Sequence, residues 1–70
     1  MVIISYRSKS KGGMRKEFVK SLDSLRKKCI QLRSELVARK IEITGVSYDY
    51  KEEFDILMNY EIIESASYDK

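Results

Sequence analysis

The chain has 70 residues, a formal net charge of +3, one cysteine and no histidine. This length corresponds to one small domain, in which a single core rarely supplies more than about 3–5 kcal/mol of net stability. Without histidine the commonest general base and metal ligand is missing, and one cysteine cannot form a disulfide within the chain. We therefore expect a protein that is not an enzyme and that uses no cofactor, metal or small-molecule substrate.

The apolar runs of the chain are short. None approaches the roughly 20 residues of a membrane-spanning helix, and the first five residues, MVIIS, are too few for the apolar part of a signal peptide. Cys29 lies within an apolar pattern, where a reduced thiol behaves as a small apolar side chain. We expect a soluble, cytoplasmic protein without a membrane partner.

Charge is distributed unevenly along the chain. Residues 1–40 contain twelve Lys and Arg against three acids, whereas residues 41–70 contain two basic residues against eight acids. This asymmetry predicts a bipolar molecule and is a hint of an anionic partner.

The first predicted element is a strand over residues 1–7, because Val2, Ile4 and Tyr6 alternate with other residues and are types favoured in strands. Residues 8–13, with the sequence SKSKGG, interrupt this alternation with small polar residues and two glycines. They are predicted to form a basic loop.

The next prediction is a long amphipathic helix over residues 14–39, with Gly13 as its N-cap. Its apolar residues recur at alternating intervals of three and four, as on one face of a helix: Met14, Phe18, Leu22, Leu25, Cys29, Leu32 and Leu36. At about 1.5 Å per residue such a helix spans roughly 39 Å, enough to cross a small sheet.

Two strands are predicted to follow, over residues 41–50 and 54–63. In the first, Gly45 interrupts the alternation, and a bulge at Thr44 and Gly45 would return the later apolar residues to the face of Ile41 and Ile43. In the second, apolar residues alternate over ten positions, although its Glu, Leu and Met residues leave a helix open as an alternative. The tail, residues 64–70, is predicted to be frayed.

These elements predict a single α+β domain of the β-α-β-β type, residues 1–70. Its three-stranded mixed sheet would have the order 1-3-2, with the third strand central because it is the most apolar. The long helix would cover one face of the sheet, and the opposite face would be open, polar and mostly acidic.

Four cations surround the start of the predicted helix, where they oppose the helix dipole: Lys9, Lys11, Arg15 and Lys16. One interpretation is that they hold an anion or a nucleic acid at the free backbone donors of the helix N-terminus. The other interpretation is that the loop is simply basic and solvated. Both remain open.

A second apolar row lies about 100° around the predicted helix from the first. It consists of Val19, Ile30 and Val37, with Arg26 and Arg33 between the two rows. These five residues are candidates for a protein interface, because interfaces favour arginine beside apolar residues. Alternatively, the arginine stems pack at the sheet boundary while their charged heads reach water.

The function predicted first is stoichiometric binding of a larger protein by a small non-enzymatic module. In size and charge the chain is similar to the small accessory proteins with which phages and mobile elements block host or defence machinery, which is an analogy rather than a family resemblance. The alternatives are binding of nucleic-acid phosphates by the basic loop and helix, and a small homo-oligomeric structural role. Binding of RNA to the open sheet face is disfavoured, because that face is predicted to lack stacking aromatic residues.

Overall fold

A computed structural model describes residues 1–63 of the chain. The elements in chain order are β1 (Val2–Ser8), β2 (Met14–Val19), α1 (Leu22–Val37), β3 (Ile41–Ser47) and α2 (Lys51–Asn59). The three strands form one antiparallel sheet in the order β2-β1-β3. The α+β class is confirmed, but the β-α-β-β arrangement, the mixed sheet and the order 1-3-2 are wrong. The predicted frayed tail, residues 64–70, lies outside the described residues.

The basic loop is the turn of a β-hairpin. The Gly12 N–H donates to the Ser8 carbonyl at 2.9 Å, and both Gly12 and Gly13 have positive φ, which glycine adopts without a Cβ clash. β2 then runs back along β1, with Met14 opposite Arg7 and Val19 opposite Val2. Residues 14–19 are therefore a strand, and the prediction that they begin a helix is wrong.

The helix α1 begins eight residues later than predicted. Its N-cap is Ser21, whose hydroxyl accepts the backbone N–H of Ser24 at 3.1 Å. Leu25, Cys29 and Leu32 are completely buried and Leu36 packs against the core, so these members of the predicted apolar stripe are confirmed, whereas Leu22 is 38% exposed. Met14 and Phe18 share the spacing of that stripe but lie on β2, where they are 62% and 59% exposed.

The strand β3 contains the predicted bulge. Its register with β1 changes from Ser5 opposite Gly45 to Tyr6 opposite Ile43, which leaves Thr44 as the additional residue. Val46 consequently packs against the core. The strand ends at Ser47, however, so Tyr48 and Tyr50 lie beyond it and are exposed, contrary to the prediction.

Residues 51–59 form the helix α2, and the predicted strand over 54–63 is wrong. Helical spacing brings Glu53, Ile56, Leu57 and Tyr60 to one side of this segment, and the first three are buried. α2 packs against α1. The central strand is therefore β1, which has a hydrogen-bonded strand on both sides.

One core joins the sheet to the two helices, which both cover the face carrying Val2, Ile4 and Tyr6. Among residues 1–63 no element covers the opposite face of the sheet. It was predicted to be mostly acidic, but it mixes apolar, basic and polar side chains, and its residues on β1 and β2 are Ile3, Ser5, Arg7, Met14, Lys16 and Phe18. Asp49, Asp55 and Glu61, which the predicted strands over 41–50 and 54–63 would have placed on this face, lie outside the strands of the structure.

Candidate functional site

An open groove of about 870 Å³ lies between the hairpin turn and the C-terminal end of α1. The turn is tied to the start of β3, because the Lys9 N–H donates to the Lys40 carbonyl at 3.0 Å. Tyr6 and Ile41, both buried, line the groove from the sheet. The groove therefore joins two parts of the chain that are separated by about thirty residues in sequence.

Five cations line this groove: Lys9, Lys11, Arg15, Arg39 and Lys40. All five are exposed, and within residues 1–63 none of them forms an ion pair. The acid that lines the groove beside them is Glu35. We call these five residues the basic groove cluster.

Many of the other cations are paired with acids. Arg7 contacts Glu42 at 2.7 Å on the uncovered sheet face, and Lys28 contacts Glu17 at 3.5 Å between α1 and β2. Arg33 pairs with Glu61. Unpaired positive charge is therefore concentrated at the groove for two reasons: five cations lie there, and most of the acids lie beside other cations.

The C-terminus of α1 is closed by a Schellman motif with an arginine in the position usually occupied by glycine. The Lys40 N–H donates to the Glu35 carbonyl at 2.9 Å and the Arg39 N–H to the Leu36 carbonyl at 3.0 Å. Arg39 has φ of 60°, in the left-handed region. This conformation costs a residue with a Cβ about 1–2 kcal/mol, and it places an arginine at the edge of the groove.

Tyr6 connects the groove to the interior. Its hydroxyl donates to a Glu17 carboxylate oxygen at 3.0 Å. Burial, reinforced by this hydrogen bond, raises the pKa of Tyr6 above its usual value, so the phenol is neutral at physiological pH. The carboxylate of Glu17 is thereby held between Tyr6 and Lys28.

The structure places three of the four predicted anion-site residues together. Lys9, Lys11 and Arg15 belong to the basic groove cluster, whereas Lys16 lies on the opposite face of the sheet. Arg15 is opposite Tyr6 and Lys16 is opposite Ser5, and successive strand residues point to opposite faces. The predicted helix N-terminus is also absent from this place, since α1 begins after Ser21.

Arg39 and Lys40 belong to the site but were not among its predicted residues. At the end of the predicted helix their charges are already favoured by the helix dipole, so the sequence alone indicates no further role for them. Both residues immediately precede the predicted strand over 41–50, which brings them to one end of the sheet. That end could be identified as the hairpin end only with the correct strand pairing.

The predicted interface residues lie in two different environments, one buried and one exposed. Val19 is only 6% exposed because it belongs to β2 and packs in the core, so it cannot serve as an interface residue in this fold. Ile30 and Val37 are 57% and 65% exposed on α1. Arg26 and Arg33 lie beside them on the same side of the helix, given 3.6 residues per turn.

Cys29 is completely buried, and burial raises the pKa of its thiol to about 11. The thiol is therefore protonated and shielded at neutral pH.

Within residues 1–63 no group of three or more Cys, Asp or Glu side chains is arranged to hold a metal ion. The helices in this part of the chain lack the length and apolar character needed to cross a bilayer.

Comparison with protein-family models, curated proteins and solved structures finds no match to this chain.

Proposed function

We propose that the chain is a non-enzymatic module that acts by stoichiometric binding to a larger protein through one side of α1. The exposure of Ile30 and Val37 carries this proposal, because the core is already supplied by a different side of the helix, about 100° away, through Leu25, Cys29 and Leu32. Burying a large aliphatic side chain contributes about 1.5–3 kcal/mol. Because Ile30 and Val37 are 57% and 65% exposed, a partner that buried them would gain somewhat more than half of that contribution from each.

The side of α1 that we call the α1 row consists of Arg26, Ile30, Arg33 and Val37. Its arginines retain considerable exposure, 51% for Arg26 and 40% for Arg33, although Arg26 contacts Asp23 and Arg33 contacts Glu61. Arginine stems and guanidinium groups are favoured in interfaces. We therefore propose a partner surface with an apolar patch flanked by carboxylates.

This composition favours a different protein over a second copy of the chain. In a two-fold symmetric contact centred near Ile30, antiparallel α1 helices would bring Arg26 of one copy close to Arg33 of the other. Like charges placed opposite one another disfavour association, and the ion pairs of Arg26 with Asp23 and of Arg33 with Glu61 only reduce this repulsion, because all four side chains are partly solvated. The homo-oligomeric role is thus the weaker alternative.

The specific form that we propose for this function is an inhibitor or accessory protein of the phage or mobile-element type. A small rigid module acts in such a role by covering a surface that its target needs. This part of the proposal is supported by size and charge rather than by a particular site.

Site-specific photo-crosslinking tests the proposal. A photoreactive residue at position 30 should crosslink one defined heterologous protein in a 1:1 product in the cells that produce the chain. The same residue at position 24, exposed and about 120° away around α1, is the matched control and should not crosslink it. Val37→Glu should abolish the product while leaving the circular dichroism spectrum unchanged, because Val37 is 65% exposed and lies outside the buried core.

Two outcomes would contradict the proposal. A product consisting of two copies of the chain would favour the homo-oligomer, and sedimentation of the wild type would then show a dimer that Val37→Glu dissociates. Equal crosslinking from positions 30 and 24 would show that the α1 row is not a specific interface.

A further inference from the structure

We propose that the groove at the hairpin end binds the phosphate backbone of a nucleic acid through the basic groove cluster. This site lies at one end of the sheet and is separate from the proposed protein contact. Three chain segments build it: the hairpin turn with Lys9 and Lys11, the strand β2 with Arg15, and the end of α1 with Arg39 and Lys40.

The charge balance at the groove is the first argument. Five cations face one lining acid, and none of the five is neutralised by an ion pair within residues 1–63. Bringing so many like charges together is unfavourable in the free protein. An anion with several phosphates would relieve that repulsion and release its own condensed counterions.

The backbone at Arg39 is the second and independent argument. A Schellman motif places its C′ residue in the left-handed region, which glycine adopts at no steric cost. An arginine there is strained, yet its side chain lines the groove. Strained residues concentrate where a side chain is needed for binding or catalysis, so this strain points to a function of the guanidinium group.

The shape of the groove favours an extended polyanion over a single small phosphate. The groove is open, its cations are on exposed side chains, and its buried polar lining residue, Tyr6, already donates its hydroxyl hydrogen to Glu17. A small anion would therefore remain largely hydrated. A nucleic-acid backbone can place successive phosphates against successive cations without being enclosed.

The negative end of the α1 dipole does not oppose this site strongly. Three of the last four carbonyls of the helix, those of Ser34, Glu35 and Leu36, accept hydrogen bonds from the N–H groups of Ala38, Lys40 and Arg39 respectively. At the other end of the sheet, β3 leads into an acidic segment that includes Asp49 and Glu52. The resulting charge separation would orient the hairpin end toward a polyanion during approach.

Fluorescence anisotropy with duplex DNA of arbitrary sequence, measured over a range of salt concentrations, tests the proposal. Each phosphate contact contributes a slope of about −0.9 to the logarithm of the binding constant against the logarithm of salt concentration. Five contacts predict a slope near −4.5. Arg39→Gly should make the slope shallower by about 0.9, whereas Arg39→Lys should retain it.

The variants separate binding from folding. Arg39→Gly relieves the left-handed strain, so its melting temperature should be unchanged or raised while its DNA affinity falls. Lys16→Gln is the matched control, because it removes one exposed cation on the opposite face of the sheet and should leave the slope unchanged. Ile30→Ser, in the α1 row, should also leave DNA binding unchanged, so this inference and the proposed protein contact can fail separately.

Three results would overturn the inference. The first is a wild-type slope near zero, and the second is an equal loss on Arg39→Gly and Lys16→Gln. The third is displacement of DNA by inorganic phosphate at millimolar concentration, with chemical-shift changes confined to the amides of the hairpin turn and of Lys40. That result would assign the groove to a single phosphate group.

Single-stranded RNA in place of duplex DNA should give a shallower slope per contact, near −0.7, if the backbone alone is recognised.

Discussion

Glu53 shows how a single acidic side chain organises the junction between β3 and α2. It is only 5% exposed, and one of its carboxylate oxygens accepts the backbone N–H groups of Asp49 at 2.8 Å and Tyr50 at 3.0 Å. The other oxygen lies 3.0 Å from the amino group of Met1. A buried carboxylate with this number of donors is compensated for its loss of hydration.

The contribution of Glu53 to the stability of the fold should depend on pH. The backbone N–H of Asp49, aided by the Met1 amino group and the Tyr50 N–H, lowers the pKa of Glu53 below the usual 4.5. A lowered folded-state pKa means that the stabilisation is fully present above the unfolded-state value and is lost as the pH falls through the folded-state value. Glu53→Gln should therefore lower the free energy of unfolding at pH 7 by about 1–3 kcal/mol, and the difference from wild type should shrink below about pH 4.

Urea denaturation at several pH values measures this difference. Glu52→Gln is the matched control, because Glu52 is an exposed neighbour in the same first turn of α2. A Glu53→Gln deficit that stayed constant from pH 7 to pH 3 would contradict the electrostatic explanation.

At the scale of the element, α1 illustrates how a capping residue sets the start of a helix. The preceding strand β2 is fixed by its pairing with β1, and the chain can become helical only after Val19 has been placed in the core. Ser21 then supplies a hydroxyl oxygen to the N–H of Ser24, with Asp23 in the first turn. Both features favour a helix start, the first by hydrogen bonding and the second through the helix dipole.

Ser21→Ala should lower the free energy of unfolding by about 1 kcal/mol, within a range of about 0.5–2 kcal/mol, because it removes this cap. Ser34→Ala is the matched control on the exposed side of the same helix. It should be neutral or slightly stabilising, since alanine has the higher helix propensity. Thermal denaturation followed by circular dichroism compares the two variants, and equal losses of stability would exclude a capping role for Ser21.

At the scale of the whole molecule, one small core holds two helices on one face of a three-stranded sheet. Leu32 is completely buried in that core together with Leu25, Leu57 and Ile62. The other face of the sheet is not covered by any element within residues 1–63, and Phe18 and Met14 are exposed there. The molecule therefore has little stability in reserve for the loss of a core side chain.

Leu32→Ala should lower the free energy of unfolding by about 2–5 kcal/mol. This loss is comparable with the total of about 3–5 kcal/mol expected for a domain of this size, so the variant should be largely unfolded at 25 °C. The adjacent exposed Gln31 provides the control, since Gln31→Ala should change the free energy by no more than about 0.5 kcal/mol. A cooperative transition for Leu32→Ala at the wild-type urea midpoint would refute this assessment.

Several features were determined by local sequence. The helical spacing of Leu25, Cys29 and Leu32 predicted the buried side of α1, and the alternation in residues 2–6 predicted the strand β1. Gly45 predicted the bulge of β3. In α1 and β1 one periodicity fits the segment better than the other, and in β3 the glycine marks the point where the alternation shifts by one residue, so none of these predictions depends on distant residues.

Other features depended on the tertiary structure. The spacing of Met14 and Phe18 is compatible with both a helix and a strand. The segment forms a strand because it pairs with β1. Residues 54–60 are apolar at alternate positions, yet the helical set of Ile56, Leu57 and Tyr60 is the one that packs when the segment lies against α1. Periodicity alone could not distinguish a helix from a strand here, because residues 54–60 fit both the two-residue period and the helical period.

The candidate site was likewise predicted only in part. The charge of the loop was evident in the sequence, and so was the presence of Arg39 and Lys40 at a helix end. Strand parity decided that Arg15 faces the groove whereas Lys16 faces away. The closure of the hairpin onto the start of β3 decided that cations thirty residues apart share one groove, because contacts between distant segments depend on strand pairing and not on local propensity.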